Sequence, residues 1–282
     1  MFIPQTLSEK LLFTTVRIET ELLDGSKGTG TGFFFDFLVG DKQTLPVIIT
    51  NKHVIKDAVI GRFQLHVLDG NQENPKPSGK FFTVRFDNFE KRWISHPNEN
   101  VDLCAMPFQP LNTEAEKRKI GIFRSSFYDT IVYDDTTLAE LGAVEDILMV
   151  GYPIGLWDRT NNFPLIRKGI TATHPAMNFN GKSEFVIDIA CFPGSSGSPV
   201  VLVNEGMYGT KQGTIVGNRI ILLGVLYAGP YMDATGDIEI SEIPISRKGL
   251  SHTQIMINLG YVIKAKEIRV LGEELKRISG AP

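Results

Sequence analysis

Three side chains in this 282-residue sequence have the types and contexts that acyl transfer requires: His53 in ITNKHV (49–54), Asp102 in VDLCAM (101–106) and a serine in PGSSGSPV (193–200). A hydrolytic serine needs a general base, an acid that orients the base, and backbone N–H groups aimed at the developing oxyanion. In the run Gly194-Ser195-Ser196-Gly197-Ser198-Pro199, the first glycine lets the chain turn so that its own N–H and that of Ser196 face one small cavity. A side chain at 194 would obstruct that turn, and Gly197 lets the chain leave tightly. The serine with glycines two before it and one after it is Ser196, the candidate nucleophile. A Gly- and Ser-rich run is equally the signature of an ordinary β-turn, so the other two residues decide the reading. His53 directly follows a strand-like run, and Asp102 follows the turn-like HPNEN.

The order His53, Asp102, Ser196 is the chymotrypsin order of a Ser-His-Asp triad, distinct from the orders of subtilisin and the α/β-hydrolases. His96 and His174 are rival bases without the strand context of His53, and Asp188, eight residues before Ser196, is a rival acid. Other chemistries fit poorly. GTGTG (28–32) has phosphate-loop spacing but leads into a Phe-rich strand without a lysine or a helix start. There is no HExxH and no paired CxxC, so no metal site and no cofactor is expected. Cys104 and Cys191 lie in apolar runs and read as two buried free thiols, which suits a reducing compartment.

The elements that must position these residues are mostly strands. Short runs rich in Val, Ile, Phe and Thr, such as GFFFDFLV, LPVIITN, FVIDIACF and RIILLGVLYA, are bounded by Gly, Pro, Asn or Asp. Strands at this spacing without intervening amphipathic helices indicate antiparallel barrels or sandwiches. Helical signals are confined to TLSEKLL (6–12), NTEAEKRK (112–119) and EIRVLGEELKRI (267–278), the last with Ile268, Leu271, Leu275 and Ile278 on one face. The expected organisation is an N-terminal β half at 11–110, a connector at 111–144, a second β half at 145–265 and a closing helix at 266–282. The polar stretch 231–252 reads as a long loop on the substrate or partner side. A net charge of −3 with no basic block gives no case for nucleic acid or an anionic membrane. No signal peptide and no apolar run of membrane-spanning length is evident, so a cytoplasmic location is expected.

Across residues 12–265 the chain resembles the trypsin-like serine peptidases, in particular the HtrA-type or trypsin-2 branch found widely in bacteria. VRIE with GTGTGFFF resembles that family's opening hairpin, ITNKHV its TNxHV histidine strand, and VDLCAM its DLA-type aspartate segment. GYPIG (151–155) resembles its G-x-P-x-G turn and RKGITAT (167–173) the strand pair that follows. DIACFPGSSGSPV is similar to the signature around the family's nucleophile, GVLYAG to the substrate-binding strand and NLGYVIKA to the closing strand. The resemblance implies a mainly all-β fold of two six-stranded antiparallel β-barrels of the chymotrypsin type with a C-terminal α-helix. It implies Ser196 as nucleophile, His53 as general base and then acid, and Asp102 as the group fixing the histidine tautomer. The N–H groups of Gly194 and Ser196 would form the oxyanion hole. It places Ala190 at the base of the P1 pocket and Tyr227, Ala228 and Gly229 along its wall, where substrate would add as a strand.

The departures from the family carry their own expectations. Digestive trypsins have an aspartate before the nucleophile that binds a freshly cut N-terminus, whereas this chain has Ser195, so activation by propeptide removal is not expected. The 191–195 loop would instead be set by packing, by a homo-oligomer or by an activating protein partner, and Gly194 could take either peptide orientation. A PDZ domain, which many HtrA relatives carry after the barrels, is not expected. With no carboxylate at the pocket base, a small or medium aliphatic P1 is expected and a basic one is not. The substrate is expected to be a protein or peptide. The competing reading is a catalytically silent module of the same fold, a binding or assembly protein.

Overall fold

Strands β1 (Thr15–Leu22), β2 (Lys27–Val39) and β3 (Gln43–Thr50) form consecutive antiparallel pairs in the computed structural model. The structure describes residues 1–40, 43–70, 74–238 and 249–280, and their side chains except those of 231–238 and 249–256. Alternate side chains of a strand point to opposite faces, and in β2 both faces are covered. Phe33, Phe35 and Phe37 enter one buried cluster while Phe34 enters another. That double burial is why the run reads as continuously apolar. Asp36 is tolerated among the phenylalanines because Arg124 donates to both of its carboxylate oxygens, at 2.8 and 3.2 Å.

Two further strands, β4 (Ala58–Asp69) and β5 (Lys76–Asp87), continue the sheet beyond β1, and β6 (Ile94–Ser95) and β7 (Cys104–Pro107) continue it beyond β3. The short β8 (Ile122–Phe123) and β9 (Phe127–Tyr128) attach to β4 and β2, making a nine-stranded sheet. Phe82, Val84 and Phe86 of β5 meet Cys104 and Met106 of β7 in one buried cluster. Strands from opposite flanks of the sheet therefore share one core, and the sheet is rolled around it.

The second half closes completely. β10 (Asp146–Gly151), β11 (Leu165–Thr171), β12 (Glu184–Asp188) and β13 (Pro199–Asn204) precede a small hairpin, β14 (Met207–Thr210) with β15 (Gly213–Val216). After β16 (Arg219–Ala228), a second hairpin of β17 (Tyr231–Ile238) and β18 (Gly249–Met256) leads to β19 (Leu259–Lys264). The closed barrel runs β10-β11-β12-β19-β16-β13 and is lined by Ile147, Met149, Phe185, Ile187, Leu223 and Val262, among others.

Helix α1 (Leu7–Leu11) starts at Thr6, which forms a capping box with Glu9. Helices α2 (Lys52–Ile55), α3 (Gln109–Lys117) and α4 (Asp135–Leu138) are short, and α5 (Lys266–Ser279) follows β19. Ile268, Leu271 and Leu275 of α5 bury against Phe35 and Phe37 of the first half and Val150, Val201 and Leu222 of the second. The helix thus seals the junction between the halves rather than packing on one barrel. Ile278, expected on the buried face, is 52% exposed.

The mainly β architecture with its C-terminal helix is the one the sequence leads one to expect. Two details differ. The stretch 231–252 was expected to be a loop, yet its arms pair as β17 and β18, while 239–248 lie outside the described residues. Polar side chains concealed strands that pair with each other rather than with the barrel. Likewise, Met207–Thr210 carried no strand signal because β14 has no buried face. Among the described residues no helix is long and apolar enough to cross a membrane.

Candidate active site

His53 and Asp102 come from segments 49 residues apart and meet at two points. The strand β3 delivers Thr50, and Asn51 turns the chain into the one-turn helix α2, on which His53 sits. Asp102 lies just ahead of β7, the strand that pairs with β3. One carboxylate oxygen accepts the His53 backbone N–H at 3.1 Å, and the other pairs with His53 Nδ1 at 2.5 Å. A carboxylate only accepts, so Nδ1 carries a proton, and in the neutral imidazole the lone pair is then on Nε2. Asn51 locks the arrangement from behind by donating its side-chain amide to the Asp102 carbonyl at 2.7 Å. His53 is about half exposed (46%) and Asp102 less so (24%).

Ser196 reaches this pair through Thr31. The Thr31 N–H donates to the Ser196 carbonyl at 2.9 Å, and the Thr50 hydroxyl, three residues before His53, donates to the Thr31 carbonyl at 2.7 Å. The Thr31 hydroxyl donates to the Gly194 carbonyl (3.1 Å) and accepts from Tyr152 N–H (3.2 Å) and the Ser198 hydroxyl (3.3 Å). One fully used hydroxyl therefore ties the serine loop, the 151–155 turn and β2 together. Among the described residues Ser196 Oγ makes no hydrogen bond, to His53 or to any other group. Catalytic pairs are often loose without substrate and tighten in the complex.

The serine loop has a definite conformation. Ser195 N–H donates to Phe192 C=O at 3.0 Å, closing a turn with Pro193 second and Gly194 third, at φ +84°. That is the type II pattern, which wants proline and then glycine at those places. The Pro193 carbonyl accepts the Ile154 N–H at 2.6 Å. Because a trans peptide holds C=O and N–H on opposite sides, the Gly194 N–H points away from the 152–155 turn. A Cβ on Gly194 would stand 2.7 Å from the Tyr152 carbonyl oxygen, so only glycine fits. Gly197, also at φ +84°, leaves the loop where a Cβ would collide with the Thr31 carbonyl. Its N–H donates to Leu226 C=O, and Ser198 C=O accepts from Leu226 N–H, which sets the loop beside β16. Among the described residues the N–H groups of Gly194 and Ser196 donate to no protein acceptor, whereas those of Ser195, Gly197 and Ser198 are all bonded.

The wall and base of the pocket implied by the sequence are near this loop. Leu226 pairs with Val262 and Ala228 with Tyr261, leaving Tyr227 as the bulged residue of β16. The Tyr227 hydroxyl donates to Glu184 at 2.5 Å, and burial together with that carboxylate holds its pKa well above the usual phenol range. Gly229 follows Ala228 at the end of β16. The Ala190 carbonyl accepts a 2.6 Å hydrogen bond from Arg167 Nη1.

The rival residues stay apart from this arrangement. His96 is buried beside Glu267, at 3.3 Å. His174 accepts the Ala176 N–H in a turn, and Asp188 is exposed at the end of β12. Both cysteines are free and buried; burial pushes the Cys191 thiol up to about 11, which keeps it neutral and unreactive. Sequence reasoning missed Thr31, Asn51, Ile154 and Arg167. Thr31 and Ile154 lie inside GTGTG and GYPIG, the two glycine-bracketed motifs, and that bracketing was the available signal.

The model of the trypsin-like peptidase domain matches residues 30–209 of the chain. A comparison with curated proteins finds no match. Among solved structures, the active form of the Rv3671c protease from M. tuberculosis is similar at 13% identity and a TM-score of 0.42, covering 92% of this chain and 79% of that one. A catalytically inactive tobacco etch virus protease complexed with substrate is similar at 14% identity and a TM-score of 0.48, covering 96% and 87%.

Proposed function

The chain belongs to the trypsin-like peptidase family and has a chymotrypsin-like fold, and on that premise we propose that it is a serine endopeptidase working through Ser196, His53 and Asp102. The observation that carries the proposal is the 2.5 Å contact between His53 Nδ1 and Asp102, which leaves Nε2 as the free base of the site. In the proposed reaction Ser196 Oγ attacks the scissile carbonyl carbon while His53 Nε2 takes the hydroxyl proton. The carbonyl π pair moves to oxygen, where the unpaired N–H groups of Gly194 and Ser196 would stabilise the charge. Collapse of the adduct breaks the C–N bond, and His53 returns the proton to the leaving nitrogen. Water then repeats the sequence on the acyl-enzyme and restores Ser196.

The substrate of this reading is a peptide strand laid along Tyr227, Ala228 and Gly229. We place the chain with the HtrA-type branch on the strength of its motifs. No propeptide cleavage is needed in this account, because Ile154 and Thr31 hold the oxyanion loop that other family members set with a new N-terminus. The small or medium aliphatic P1 was expected because no carboxylate occupies the pocket base; the Arg167 guanidinium bonded to the Ala190 carbonyl favours a different preference.

The silent-module reading draws support from one observation, the missing hydrogen bond between Ser196 Oγ and His53. Hydrolysis of a peptide library separates the two. Cleavage by the wild-type chain that is lost in Ser196→Ala and in His53→Ala supports the peptidase. Cleavage that persists in Ser196→Ala overturns Ser196 as the nucleophile, and no cleavage by any form supports the silent module.

A further inference from the structure

The Arg167 guanidinium is a cation with one hydrogen bond where it has donors for five. Nη1 donates to the Ala190 carbonyl at 2.6 Å, while Nε and Nη2 are buried and have no partner. Among the described residues no carboxylate pairs with it; the ionisable neighbour is Cys191, whose neutral thiol offers no compensating charge. Burial pulls the pKa of this arginine below its ordinary value, yet an arginine stays charged in a protein. Buried cations are ordinarily paired, because desolvation costs more than any single hydrogen bond returns.

Its position says what is missing. Arg167 pairs across the β10–β11 ladder with Met149, and directly opposed residues share a face of the sheet. Met149 is part of the barrel core, so Arg167 also projects inward. Its neighbours Ala190 and Cys191 open the segment that runs to Gly194 and Ser196. Substrate paired with Tyr227, Ala228 and Gly229, with its scissile carbonyl at the Gly194 and Ser196 amides, would send its P1 side chain between those two segments, toward Ala190.

We propose that Arg167 is the specificity residue of this peptidase and that it selects an acidic P1 side chain, aspartate or glutamate, whose carboxylate takes the unused N–H donors. The inference rests on the peptidase reading for its geometry and replaces the aliphatic preference. A planar guanidinium with a free edge presents the paired donors that a carboxylate accepts in bidentate fashion. An aliphatic P1 would leave those donors unpaired.

Binding to the Ser196→Ala variant tests this without requiring catalysis. Peptides ending in Glu, Gln or Leu, otherwise identical, occupy the P1 site as products do, and calorimetry ranks them. The Glu peptide is expected to bind roughly 10- to 100-fold tighter than the Gln and Leu peptides. Placing Arg167→Gln in the same background should abolish that difference, and Arg167→Lys should retain part of it. Equal binding of the three peptides, or tighter binding of Leu, overturns the inference and leaves Arg167 as a brace for the Ala190 carbonyl. Loss of cleavage and labelling at Ser196 would instead count against the peptidase itself, and a Glu preference in the binding assay would survive that loss.

Discussion

The Pro193 carbonyl and the Ile154 amide are joined by a 2.6 Å hydrogen bond, and this contact decides which way the Pro193–Gly194 peptide faces. Ile154 makes it from a left-handed conformation, φ +52°, that a β-branched residue rarely adopts. The side chain is 64% exposed, so little burial offsets the strain. Replacing it with glycine keeps the N–H and removes the strain. Ile154→Gly is expected to raise stability by about 1 kcal/mol, net of the extra unfolded-state entropy, with activity retained. Urea unfolding and kcat of the variant check both halves of that statement.

Gly194→Ala should act in the opposite sense on catalysis. The new Cβ meets the Tyr152 carbonyl oxygen and the backbone must move from φ +84°, taking the proposed Gly194 oxyanion donor with it. Losing one such donor typically costs roughly 100- to 1,000-fold in kcat. The expectation is that loss with KM little changed, measured on any cleaved peptide.

Asp102→Asn tests the tautomer. An amide at 102 can present its NH2 to Nδ1, which moves the imidazole proton to Nε2 and removes the base. A fall in kcat of roughly ten thousand-fold is expected with folding intact, and Ser196→Ala should fall by about a million-fold.

Thr31→Val removes the hydroxyl that serves Gly194, Tyr152 and Ser198 without changing the shape of a fully buried side chain. Three polar groups then lose a partner. A destabilisation of about 2 kcal/mol is expected, with a lower kcat because the serine loop is tied to β2 through this residue. Denaturant midpoints alongside kcat provide the check.

His66 gives the protein an acid-sensitive core. It is packed against Phe13, Phe81 and Phe163, its Nε2–H donates to the Asn162 carbonyl, and burial lowers its pKa to about 4. The unfolded chain takes up this proton near pH 6.5 and the folded one near 4, so the unfolded state binds more protons between those values. The stability tied to neutral His66 is complete above pH 6.5. It is lost as the pH falls toward 4, by about 3 kcal/mol. The difference in unfolding free energy between pH 7 and pH 4.5 should shrink in His66→Leu relative to the wild type.

The candidate residues of the proposed triad could be singled out in the sequence because each follows a recognisable local pattern: a strand then His53, a turn then Asp102, and glycines around Ser196. The fold was legible for a related reason, since strands buried on both faces, such as β2, leave unbroken apolar runs. What was not legible depends on contacts across the chain. Arg167 sits on a strand of alternating exposure, and nothing local marks that its guanidinium ends on Ala190. Thr31 serves residues more than 100 positions away. The β17–β18 pairing was hidden because hairpin arms that pair with each other need no apolar face.

The most direct test of the account is labelling of the purified chain with a fluorophosphonate, followed by mapping of the modified peptide. A single adduct is expected on Ser196, absent in Ser196→Ala and strongly reduced in His53→Ala, since the probe requires both an activated serine and donors for its phosphoryl oxygen. Absence of any adduct on the folded wild-type chain, or an adduct at another residue, would contradict it.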